Sequence, residues 1–291
     1  MSDLTLGVDV SDLIARLAIV GGSDVQAQGI VAANRAAAIK DAAKKAAAGA
    51  KGKIGRIAVA LPSATNTVPD DLVAALSGIG KGKPTAIAAG TAAAIAEQWC
   101  GAAKGAKQVI TFSIADHVSA GVIVDGTPWR GAHGLGASVG WLALNPVERE
   151  DYRRLGGLEA EVASAGIVRR FVWRIKSGDQ SNVADQVQGD FSKISAADIL
   201  QGARAGDGVS IAVVRDTARY IGMAVANLAT MFDPEVIVLG GIIASSGDIM
   251  LEAIRHETSR RLMPEQHEQV RIELSSIGDD AVAIGAARAV A

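Results

Sequence analysis

Three short stretches carry groups able to do acid–base or phosphate chemistry. Near the start, Asp9 and Asp12 flank Ser11 just after an apolar run, which sets two carboxylates at one turn. Further on, Asp116 and His117 stand side by side between two apolar runs. On a strand they would point to opposite faces, whereas in a tight turn both can face a cleft as an acid/base pair; the other reading is a solvated loop. Gly240 and Gly241 close the β-branched run Val236 to Leu239. Bare backbone there admits a flat ring or a phosphate, or it simply makes a sharp turn. With four histidines and one cysteine, no ligand spacing supports a transition metal. Cys100 reads as buried filler rather than a nucleophile, and His133, in a glycine-rich loop, as a surface histidine. Trp129 and Trp141 read either as filler or as a stacking platform for a ring ligand, with filler preferred.

These residues need strands to hold them. Thr5 to Val10 and Leu13 to Val20 open the chain as a hairpin whose turn holds Ser11 and Asp12. A helix of high intrinsic propensity is expected from Ala32 to Ala48, then a buried strand from Arg56 to Leu61 and a short helix from Pro69 to Leu76 with Pro near its first turn. Thr85 to Ala89 is a short strand and Thr91 to Cys100 a helix. Gln108 to Ile114 and Ser119 to Val124 pair as strands, and Asp125-Gly126 turns the chain again before Trp129. The polar middle, Glu148 to Asp198, is helical with loops, and Asp179 to Asp190 is expected to be a solvated loop over a cleft. A long amphipathic helix from Asp216 to Phe232, the strand to Leu239, a helix from Gly247 to Arg261, a strand from Arg271 to Leu274 and a terminal helix from Ala281 to Ala289 complete two α/β lobes.

Composition narrows the function classes. The 291 residues are 49% hydrophobic, 21% charged and only 3% aromatic, with 33 glycines, so a large core is available without many rings. Alanine makes up about a fifth of the chain, yet the spread of Val, Ile and Leu argues for a globular protein. A net charge of −2 and the lack of basic runs give no footprint for nucleic acid or a membrane surface. No apolar stretch approaches the ~20 residues that span a bilayer, no leader pattern opens the chain, and one cysteine fits a reducing compartment, so a cytoplasmic protein is expected.

Four stretches resemble the ROK family of sugar kinases and sugar-responsive repressors: FDPEVIVLGG (Phe232 to Gly241), TAAAIAEQWCGAAKGAKQVI (Thr91 to Ile110), DGTPWRGAHGLGASVGWLALNP (Asp125 to Pro146) and GDDAVAIGAARAV (Gly278 to Val290). The resemblance implies an α/β protein with the two-lobed actin-like ATPase fold, which is ribonuclease H-like. One lobe would be residues 1–106 joined by the C-terminal helix 279–291, and the other residues 107–278. It also implies ATP with magnesium as cofactor, a sugar or sugar-like ligand, and a homodimer. Asp9, Gly121, Gly240 and Gly241 fall on the family's cofactor-binding positions, and Glu159, Ser138 and Trp141 on its substrate-binding ones.

Against that family pattern the chemistry is depleted. The catalytic Asn-Asp-Ala-Asn falls on Ala88-Ala89-Gly90-Thr91, so the base position is Ala89, and a methyl group accepts no proton. The first phosphate loop falls on Asp9 to Leu13, with Ser11 and Asp12 in place of two glycines; the second falls on Ala115 to Gly121 and keeps only Gly121. The sugar motif Gly-Glu-Ile-Gly-His falls on Ala137 to Trp141, leaving Glu159 as the matching sugar-binding acid. The zinc-binding cysteines would fall within Glu150 to Gly157, where there are none, so no structural zinc is expected. The loop between Leu61 and Leu72 is shortened, which leaves Asn66 without an assigned role. The expectation is a catalytically inactive ROK homologue, a sensor, scaffold or partner subunit. The alternative is an ATP-dependent, glucokinase-like sugar or amino-sugar kinase with a relocated base, for which Asp116 is the substitute. A repressor is disfavoured, since no helix-turn-helix precedes the first strand.

Overall fold

The strand β1 (Leu4–Asp9) is buried along its whole length and forms the middle of the first sheet. It pairs antiparallel with β2 (Ala15–Gly21), with Asp9 opposite Arg16, and parallel with β4 (Ile54–Leu61), so that Asp9 emerges at the carboxyl end beside Ala60. The computed structural model describes residues 3–31, 35–62 and 67–291. Asn66 and the first three positions of the helix predicted from Ala32 lie outside the described residues.

Edge strands β3 (Asp24–Val31) and β5 (Thr85–Ala88) complete the order β3-β2-β1-β4-β5. The helices α1 (Ala36–Gly49) and α2 (Asp70–Leu76) cover this sheet, with Ile39, Leu72 and Leu76 buried among Leu6, Val8, Leu17, Ile57 and Val59. Sequence reasoning missed β3. Its residues alternate between exposed and half-buried up to the buried Val31, and its inward positions Val25, Ala27 and Gly29 are small while Ile30 points outward, so the period-2 signal is weak beside the stronger β2.

The helix α3 (Ala89–Cys100) follows β5 directly and leads to the second sheet. That sheet runs β10-β9-β6-β7-β8, formed by β6 (Val109–Ile114), β7 (Val118–Val124), β8 (Thr127–Trp129), β9 (Val236–Gly241) and β10 (Arg271–Leu274). Asp125 at φ 49° and Gly126 at φ 77° make the predicted two-residue turn between β7 and β8, left-handed at both positions as the strand twist requires.

Between β8 and β9 come α4 (Glu150–Leu155), α5 (Gly157–Val162), α6 (Ser164–Lys176), α7 (Asn182–Gln186), α8 (Ala196–Arg204) and the long α9 (Gly208–Phe232). The polar stretch expected as a solvated loop instead contains α7, capped by Ser181 and tied to Asp207 through the Asn182 amide, with Val183 and Ala184 in the core. After β9 follow α10 (Ile242–Ser245), α11 (Gly247–Ser259) and α12 (Pro264–Gln269).

The chain ends in α13 (Ala281–Ala289), which packs on β1 and α3. This contact explains much of the alanine. A Cβ on Gly285 would lie 1.7 Å from the Ala92 carbonyl oxygen, so the two helices touch backbone to backbone, and Ala93, Ala96 and Ala283 fill a seam too narrow for larger side chains. Among the described residues no helix is long and apolar enough to cross a membrane.

Candidate functional site

The carboxyl ends of β1 and β4, the start of α3 and the ends of β6 and β9 converge on a cleft between the lobes. Asp9, Ser11, Asp12, Ala89, His117, Gly240 and Gly241 line it, and its free volume is about 90 Å³. That is below the roughly 300–1,000 Å³ of small-molecule pockets.

Asp9 is only 3% exposed. Its Oδ1 accepts hydrogen bonds from the Ser11 amide (2.9 Å) and the Ser11 hydroxyl (2.6 Å). Burial pushes its carboxyl above the ordinary value, and the Ser11 hydrogen bonds only offset part of that rise. Asp12, at the tip of the first hairpin, meets Asp116 at the tip of the β6–β7 hairpin. Burial and the hydrogen bond shared with the Asp116 carboxyl push Asp12 up to about 6. The two hairpins thus touch each other through a pair of carboxyl groups.

The second hairpin is tight, with the Ala115 amide donating to the His117 carbonyl at 3.0 Å. It separates the two neighbours. His117 lines the cleft cavity and Asp116 is exposed at the rim, where it meets Asp12. His117 Nδ1 lies 3.1 Å from Glu159 Oε1, while Glu159 Oε2 accepts from the Val118 amide at 3.1 Å. Glu159 is therefore engaged by the hairpin.

The glycines have packing reasons of their own. A Cβ on Gly121 would come within 2.0 Å of the Gly90 carbonyl oxygen, and one on Gly90 within 2.0 Å of the Ala120 carbonyl oxygen. Gly121 thus lets α3 lie directly on β7, and it does not line the cavity. Gly241, at φ 63°, would press a Cβ to 2.0 Å from the Ile114 carbonyl oxygen, its partner in the β6–β9 ladder. Ala89, the first residue of α3, is buried and offers the cleft a methyl group.

Sequence reasoning did not assign two ion and hydrogen-bond pairs in this region. Glu97, buried, accepts from the Ala102 amide and the Ser275 hydroxyl and so ties α3 to the segment after β10. Arg16 reaches Asp279 at 2.7 Å. A lone acid on the otherwise apolar face of α3 was the available signal for the first; the second joins residues 263 positions apart and had none.

Ser138 and Trp141 lie outside the cleft lining. Ser138 donates to the Leu135 carbonyl at 2.7 Å, and Trp141 is 59% exposed, so it does not fill a vacated metal site as expected. Trp129 sets its ring edge against Phe232, with centroids 5.4 Å apart, and not against Trp141. Cys100 is exposed rather than buried, because α3 ends there on the surface.

Tyr152, in the stretch where zinc-binding cysteines were expected, joins a cluster organised around a carboxylate. Glu161, on α5, accepts from the Tyr152 hydroxyl and from Arg170 Nη2 (2.6 Å), with Arg149 (3.4 Å) and Arg169 (3.7 Å) nearby. Burial alone would raise its carboxyl, but these donors outweigh burial and hold it below the ordinary value. Burial and then the Glu161 hydrogen bond push the Tyr152 phenol up to about 12. Among the described residues no cluster of three or more His, Cys, Asp or Glu is arranged to hold a metal ion. Neither donor set suits a zinc ion or a triphosphate: the first has guanidinium and phenol donors around one acid, and the cleft has facing carboxyl groups rather than bare amides.

Known proteins place this architecture. A glucokinase from Halalkalibacterium halodurans is 29% identical over 198 residues, which are 66% of this chain and 59% of that protein. A xylose repressor from Caldicellulosiruptor bescii is 28% identical over 200 residues, 67% of this chain and 48% of the repressor. The match therefore spans about three fifths of the glucokinase's length and about half of the repressor's. The structure of a ROK family glucokinase from Streptomyces griseus in complex with glucose and AMPPNP superposes with a TM-score of 0.79 at 23% identity, covering 98% of both chains. This likeness shows the shared two-lobed actin-like ATPase fold. The ROK family model matches residues 36–291, and the chain belongs to the ROK family.

Proposed function

We propose that this chain is a ROK protein without phosphotransferase activity, acting as a sensor, scaffold or partner subunit. The observation that carries the reading is the Asp12–Asp116 contact where the family's two phosphate loops would open toward a triphosphate. Phosphoryl transfer by this fold needs a carboxylate base beside the sugar hydroxyl and unobstructed amides around the phosphates. Ala89 supplies no base. Negative carboxylates facing a triphosphate repel it, and a cavity of about 90 Å³ does not admit one without the lobes moving apart. In this reading ATP and magnesium are not used, zinc is not needed because Glu161 cross-links its segment, and the lobes divide near residue 106 with the C-terminal helix returned to the first. A sugar-like ligand, a homodimer and a cytoplasmic setting accompany it, without nucleic acid or membrane as partner.

A second reading has one observation in its favour. His117, held by Glu159, lines the cleft and presents a ring nitrogen able to accept a proton, so a relocated base in a sugar or amino-sugar kinase would be His117 rather than Asp116. One assay separates the readings: phosphorus NMR of the full chain with magnesium, ATP and a panel of hexoses and amino sugars. The first reading predicts no sugar phosphate above the enzyme-free rate. Turnover that disappears in His117→Ala establishes the second.

A further inference from the structure

Away from the cleft, α6, α9, α11 and the segment before α4 enclose a groove of about 820 Å³ that shares no lining residue with the cleft. Six arginines and four acids line it. The acids are largely consumed. Glu161 is held as described, Glu257 is buried and accepts from Arg261, and Asp151 is paired with Arg169.

Three guanidinium groups from three elements remain under-used. Arg149 is 55% exposed and only 3.4 Å from Glu161; Arg219 is 60% exposed, with its nearest acid, Asp216, at 3.8 Å. Arg174 donates Nε to Asp179 at 2.7 Å, and its two Nη groups have no protein partner among the described residues. Beside them Trp173 is 68% exposed, and the Tyr220 ring, already covered on one face by Arg170 at 5.3 Å, lines the wall.

We propose that this groove binds a phosphate group carried on a ring, with Arg149, Arg174 and Arg219 holding the phosphate and Trp173 the ring. Planar guanidinium forks match phosphate oxygens in pairs, and six guanidinium groups against four acids leave the groove a positive surplus, with donors on these three arginines still open although each keeps one acid nearby. An exposed indole next to that surplus suits a sugar or base face and is costly to leave in water. The site stands apart from the cleft, so it holds whether or not the cleft is catalytic.

The test is calorimetry on the full chain in low salt with glucose 6-phosphate, AMP, inorganic phosphate and, as the uncharged control, glucose. Glucose 6-phosphate or AMP is expected to bind more tightly than inorganic phosphate; which of the two binds better identifies a sugar or a nucleotide as the ring. Glucose should not report on this site. Arg149→Gln with Arg219→Gln together should weaken binding about tenfold or more, and Arg174→Gln alone by less, with melting temperatures close to the parent's because these side chains are exposed. His117→Ala, in the cleft, should leave the affinity unchanged. Absence of binding by both phosphorylated rings at about 10 mM, affinity unchanged in the arginine variants, or loss only in His117→Ala overturns the proposal.

Discussion

Two carboxylate sites of this molecule have been driven in opposite directions. At the cleft, Asp12 faces another carboxyl group, and for Asp9 burial outweighs the Ser11 hydrogen bonds and the Arg16 charge, so both carboxyls sit above their ordinary values. In the second lobe, Glu161 is just as enclosed yet lies below its ordinary value, because Tyr152 and the arginines donate to it. Burial is common to both, and the partners decide the sign. We propose that the first place corresponds to the family's phosphate loops and that the second neighbours its zinc segment, the first offering no donors to a phosphate and the second many donors to a buried acid.

The largest expected effect breaks the well-partnered site. Glu161→Gln leaves the Arg170 guanidinium, 14% exposed, without its counter-charge and should cost about 3–5 kcal/mol in urea unfolding. A loss under 1 kcal/mol would mean that the donors do not depend on the charge. Next comes the packing claim for Gly121. Gly121→Ala should destabilise by about 2–3 kcal/mol, since the new Cβ meets backbone and not a flexible side chain. An unchanged melting curve would return that glycine to a ligand-binding role.

The two sites also give opposite pH dependences. Asp12 binds its proton more tightly folded than unfolded, so its contribution is fully present below about pH 3.8 and is lost as pH rises to about 6. Glu161, held low, contributes stability above its unfolded value that is lost as pH falls through the lower folded one. Asp12→Asn removes the carboxylate repulsion and should raise stability at pH 7.5 by about 1 kcal/mol, the modest size reflecting solvent screening of a half-exposed group. It should also flatten the stability profile between pH 4 and 6, read by thermal melts across that range. Exposed Trp141 gives the smallest effect: Trp141→Ala should shift stability by less than about 0.5 kcal/mol, and a loss of several kcal/mol would restore its expected role as filler.

How much of this was legible in the sequence follows from the range of each interaction. The β6–β7–β8 meander announced itself through Asp125-Gly126, for which local chemistry was enough, whereas Asp9, Ala89, Gly240 and Gly241 were brought to one cleft only by the family resemblance. The Asp12–Asp116 contact joins hairpin tips from different lobes, so its existence depends on how the lobes close and no spacing encodes it. The Glu161 cluster gathers Arg149, Tyr152, Arg169 and Arg170 from three segments, and in sequence they read only as scattered charge. Trp141 was misjudged because a large ring replacing a metal ligand suggests volume to fill, whereas it ends the short helical turn Val139–Trp141 on the exposed side.

The central claim is that the two phosphate-loop hairpins meet through their acids. Carbon-13 NMR of aspartate-labelled protein, followed across pH, reads it directly. The Asp12 carboxyl should titrate near pH 6, should fall toward the ordinary range in Asp116→Asn, and should not move when magnesium and ATP are added. A midpoint near 3.8 that ignores Asp116 and shifts with the nucleotide would contradict the account.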